Sequence, residues 1–165
     1  MSEFLVLRLI HVLGGIFWVG SGIFSGMFLM PALMKSGPAA GQVMAALQER
    51  KLFVVLPIVA TLTILSGARL MWITSGGFSA SYFSSGTGMT FSGAAVCAIV
   101  AFLLSLLIVR PASARATALM SGAAQASPET MAQVQRLRAR AGSVSVVVYW
   151  LLIASAAGMA VARYV

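Results

Sequence analysis

The stretch that decides the fold is Phe4-Leu5-Val6-Leu7-Arg8-Leu9-Ile10-His11-Val12-Leu13-Gly14-Gly15-Ile16-Phe17-Trp18, continuing almost unbroken in apolar and small residues to Met34. About 20 apolar residues at ~1.5 Å each cross the hydrocarbon core of a bilayer, so this run reads as a transmembrane helix. It carries the only histidine of the chain, His11, close to its start. An ionisable group inside such a span is costly to keep there, which makes His11 the first functional candidate.

Working outward, three more apolar runs follow. The spans read as 4–34, 52–75, 88–110 and 142–162 of a 165-residue chain that is 60% hydrophobic and 8% charged. The expected fold is all-α: one domain, an integral membrane four-helix bundle. The apolar run at the start is too long for a signal-peptide core and ends without a small-residue cleavage site, so no cleaved leader is expected. Lys35-Ser36-Gly37-Pro38 ends the first helix, with Pro38 suited to open the next. Ala39 to Lys51 is helix-favouring and is expected to run on into the second span, which Pro57 should kink. The stretch 76–87, rich in Ser, Gly and aromatics, reads as an uncharged loop. The third span is expected to end at Arg110-Pro111. Ser127-Pro128-Glu129 combines an N-cap, a first-turn proline and a dipole-compatible acid, so a helix should start there and continue into the fourth span. The polar region 112–140 then forms cytoplasmic helical extensions of spans three and four.

The net charge of +8 is spread unevenly. Lys35, Arg50 and Lys51 lie between spans one and two, and Arg110, Arg115, Arg136, Arg138 and Arg140 between spans three and four. The other side has Arg8, Arg69 and Arg163. The positive-inside rule places the basic loops in the cytoplasm and both termini outside. Membrane lipids, not nucleic acid, are the expected partners of these arginines.

With this topology, His11, Arg69, Met71, Met89 and Met159 share one outer layer, although they are far apart in sequence. Arg8, His11, Gly15, Trp18, Gly22 and Gly26 recur at helical spacing. A flat macrocycle would need a neutral imidazole, a gap for its ring and cations for its propionates. His11, Gly15 and the indole of Trp18 are candidates for the ligand and the gap, with Arg8 and Arg69 for the propionates. Gly22 and Gly26 form a GxxxG pattern that allows close helix approach, including to a second copy. Trp18 is too deep for the interfacial belt and reads as core or pocket; Trp72 suits the belt. Met27, Met30 and Met34 read as core filler, and Cys97, the lone cysteine, as a small core residue.

Other chemistries lack their residues. The chain has no aspartate and its glutamates are Glu3, Glu49 and Glu129. This leaves no Ser-His-Asp set, no carboxylate pair and no acidic relay within the spans. No glycine-rich nucleotide loop is present.

The sequence Arg8-Leu9-Ile10-His11, followed by Phe17-Trp18-Val19-Gly20-Ser21-Gly22 and Pro31, resembles the first helix of small bacterial membrane proteins. These are related to the HemJ-type protoporphyrinogen oxidases and to the CopD copper-resistance membrane domain. The resemblance is confined to the first span. It implies the bacterial inner membrane and, from the HemJ side, b-type haem ligated by His11, with redox or electron-transfer chemistry and a haem-dependent oxidoreductase activity. The intramembrane lysine of HemJ-type proteins has no counterpart here. One histidine per chain leaves the sixth haem position empty, filled by a methionine, or supplied by another subunit. The CopD side implies copper instead, bound or translocated through His11 with thioether ligands among Met71, Met89 and Met159. A cofactor-free structural bundle is the third reading.

Overall fold

The computed structural model describes residues 3–37, 39–121 and 127–165. Its described residues form helices and connecting turns, and four of the helices are long and apolar enough to cross a membrane. The protein is an all-α, multi-pass membrane bundle. Helix α1 spans Glu3–Lys35, α2 Ala39–Glu49, α3 Leu52–Thr74, α4 Ala80–Phe83, α5 Gly86–Met120 and α6 Pro128–Val161. Around the bundle α3 packs on α1, α1 on α6 and α6 on α5, while α5 and α3 touch more lightly.

Trp18 of α1 fills the centre. Its indole meets Phe102 edge-on at 6.2 Å and packs with Ala60, Ala101 and Leu152. Most buried positions are small: Ala60, Thr63 and Ser66 on α3, Ala94 and Ala101 on α5, and Ser155 on α6. Small residues are what membrane helices use to approach closely, since lipid supplies little hydrophobic drive between them. Gly22 faces Leu152 and Gly26 faces Tyr149, so the GxxxG face lies against α6 of the same chain. Met27, Met30 and Met34 are not core filler: they are 48%, 45% and 84% exposed, on the outer surface of the bundle. Cys97 is only half-buried.

One helix boundary differs from expectation. The second helix does not run into the second span. Lys51 takes a left-handed φ of 57° and separates α2 from α3. Past Arg110-Pro111 helix α5 continues to Met120 as the expected extension of the third span, although a proline lies within it. Proline has no N–H, and its ring crowds the carbonyl four residues back. The chain meets this with a π segment, Ser105–Val109, closed by the Arg110 N–H on the Ser105 carbonyl. Helix α1 repeats the device. The π segment Ser25–Leu29 is closed by the Met30 N–H on the Ser25 carbonyl, one residue before Pro31. In both helices the wide turn directly precedes the proline and eases that crowding, whereas α3 carries Pro57 without one.

Other expectations hold. Ser127 caps α6, its Oγ accepting from the Thr130 N–H, and α6 packs against the extension of α5 as a helical hairpin. The uncharged loop contains one short helix, α4, between turns at Gly76, Gly77 and Phe78, all with positive φ. Pro38 lies outside the described residues.

Candidate functional site around His11

Helices α1 and α3 are antiparallel, and their register is fixed at three levels. At the top Arg69 Nε donates to Glu3 Oε1 at 2.7 Å. Eight residues further along α1, about 12 Å by helical rise, His11 meets Thr63 and Gly67. Lower still, Gly14 and Trp18 lie against Thr63 and Ala60.

The His11 ring is held by one bond: Nδ1 lies 2.8 Å from the backbone oxygen of Thr63. A carbonyl only accepts, so Nδ1 is the donor, and in the neutral ring Nε2 then carries the lone pair. The Thr63 carbonyl already serves its own helix and also accepts from Ser66 Oγ at 3.1 Å. A side chain at the following turn usually covers such a carbonyl from outside the helix. Here that position is Gly67. A Cβ there would come within 2.6 Å of His11 Cε1 and 2.9 Å of Nδ1. The missing methyl is the slot in which the imidazole lies.

Nε2 has no hydrogen-bond partner among the described residues. Among the described residues no buried side-chain nitrogen or oxygen lacks a partner, so Nε2 keeps contact with the surface of the bundle. A half-buried imidazole, fixed through Nδ1 and open at Nε2, is the arrangement that metal-ligating histidines adopt.

The other candidates divide. Arg8 is exposed, three residues before His11 on the same helix, and pairs with nothing among the described residues. Arg69 is taken by Glu3, so its Nε is not free for a propionate. That pairing had a sequence signal, because Glu3 and Arg69 sit at the same end of antiparallel spans. Gly15, one turn after His11, faces the same Thr63, whose Cγ2 would lie 3.9 Å from an added Cβ. Trp18 is 8% exposed and belongs to the core two turns below. Met71 follows Gly67 by one turn on α3 and is half-buried. Met89 starts α5 and is 58% exposed, and Met159 is half-buried near the end of α6. No group of three His, Cys, Asp or Glu side chains comes together among the described residues. Thr63, Ser66 and Gly67 were not singled out in the sequence, although the small-residue run Ser66-Gly67-Ala68 at the depth of His11 was a usable sign of close approach.

No protein-family model, curated protein or solved structure matches this chain.

Proposed function

We propose that this is a protein of the bacterial cytoplasmic membrane that holds b-type haem through His11 and uses it for redox or electron transfer. The observation that carries this reading is the Nδ1 bond to the Thr63 carbonyl, which in the neutral ring leaves the Nε2 lone pair open to a metal. His11 would take the iron, and the unpaired Arg8 and the guanidinium nitrogens of Arg69 that Glu3 leaves open would take the propionates; Trp18 packs in the core below. The haem iron supplies one-electron exchange. The chain would supply the ligand and, through Thr63, its tautomer. The basic loops lie in the cytoplasm and the termini outside, as the distribution of arginine and lysine directs.

The test is the visible spectrum and metal content of protein purified in mild detergent. Wild type is expected to show a Soret band and about one iron per chain, and His11→Ala to lose at least about nine-tenths of both. Wild-type protein with neither signal sinks the reading. Copper in stoichiometric amount without a Soret band would transfer His11 to the second reading, a copper site completed by Met71, which shares the Gly67 face of α3.

A further inference from the structure

At the opposite end of the bundle from His11 the extension of α5 and the first half of α6 enclose a groove of about 280 Å³. Its walls include Leu107, Ile108, Pro111, Leu137 and two arginines from different helices, Arg115 and Arg140. Both arginines are exposed, and neither has an ion-pair or hydrogen-bond partner among the described residues. No acid lines the groove. The nearest in sequence, Glu129, stands eleven residues before Arg140, about 16 Å along the helix.

The groove also has a definite depth. Leu107 and Ile108 belong to the π segment Ser105–Val109, and Leu107 is 67% exposed on the apolar surface of the span. Arg110 and Arg115 follow immediately. The site therefore straddles the level at which hydrocarbon gives way to headgroups: its apolar wall continues into the lipid-facing surface and its basic wall faces the polar layer.

We propose that this groove binds an anionic phospholipid, with the phosphate between Arg115 and Arg140 and an acyl chain against Leu107 and Ile108. Guanidinium forks match phosphate oxygens with paired hydrogen bonds, and basic pockets between membrane helices suit anionic headgroups. The apolar wall is what selects a lipid over a free phosphate. The inference is independent of the cofactor assigned to His11.

Native mass spectrometry of the detergent-solubilised protein tests it, after exposure in turn to phosphatidylglycerol, phosphatidylcholine and glycerol 3-phosphate. Wild type is expected to retain phosphatidylglycerol and neither of the others. Arg115→Gln/Arg140→Gln should retain at least about fivefold less, and Arg136→Gln/Arg138→Gln, with the same loss of charge outside the groove, should stay within about twofold of wild type. Each single variant, made on an exposed side chain, should lower retention by itself. Equal losses in the two double variants would reduce the effect to net charge and overturn the site. So would retention of phosphatidylcholine or glycerol 3-phosphate at the level of phosphatidylglycerol, or a single variant that matches wild type.

Discussion

Gly67 decides where the imidazole of His11 lies, and it does so by what it lacks. With Ala at 67 the added methyl would fall 2.6 Å from Cε1 and 2.9 Å from Nδ1, so the ring must swing off the Thr63 carbonyl. The lost hydrogen bond costs about 0.5–1.5 kcal/mol. If His11 holds haem, the loss of its orienting partner should also weaken binding by about 10–100-fold. Gly67→Ala is therefore expected to lower Soret retention far more than it lowers the melting temperature. Gly15→Ala, with nothing closer than 3.9 Å to its new methyl, should leave both unchanged. Full haem retention in Gly67→Ala would show that the Thr63 bond does not orient the ligand. The sequence made His11 legible because one ionisable residue in an apolar run is a chemical anomaly. It could not reveal Thr63, because the group that matters there is a backbone carbonyl, which every residue has. The ion pair of Arg69 escaped notice for a related reason: its charge was visible, but its partner Glu3 was 66 positions away.

The elements are held together by the absence of side chains as much as by their presence. Gly158 of α6 sits so close to α5 that an added Cβ would lie 2.9 Å from the Cβ of Ala94. Ala94 is buried and rigid, so a larger residue at 158 must push the two helices apart. Overpacking of this kind costs about 1–3 kcal/mol. Gly158→Leu should lower the melting temperature in detergent, whereas Gly93→Leu on the lipid-facing side of α5, with nothing within 4 Å, should not. Equal melting temperatures would mean that α5 and α6 are not clamped at this level. The existence of the four long helices was written in their apolar length. Their ends were written less clearly. The apolar run gave out at Arg110-Pro111 and the helix did not, and the π segment that precedes Pro111 is a backbone feature with no residue signature. Lys51 breaks a stretch whose residues mostly favour helix, because a left-handed turn has no strong signature when the residue is not glycine or asparagine.

At the scale of the whole molecule the two ends differ in charge, and that difference should fix how the protein sits in its membrane. Helices α1 and α3 are antiparallel, as are α5 and α6, so Ser36 and the base of the α5–α6 hairpin share one end, with Ser84 at the other. The first end carries Lys35, Arg50, Lys51 and the five arginines of the α5–α6 hairpin. The second has Arg8, Arg163 and Arg69, the last already neutralised by Glu3. Moving a cluster of lysine and arginine across a membrane is disfavoured during insertion, whereas an uncharged loop such as 76–85 passes freely. Single cysteines read this directly in a Cys97→Ala background. Ser36 and Ser84 are both exposed and lie at opposite ends. In intact cells a membrane-impermeant maleimide should label Ser84→Cys and leave Ser36→Cys unlabelled until the membrane is opened. The reverse pattern would invert the bundle. It would place His11 near the cytoplasmic face and the groove of Arg115 and Arg140 in the outer leaflet, with cytoplasmic electron donors then closer to His11 than periplasmic ones.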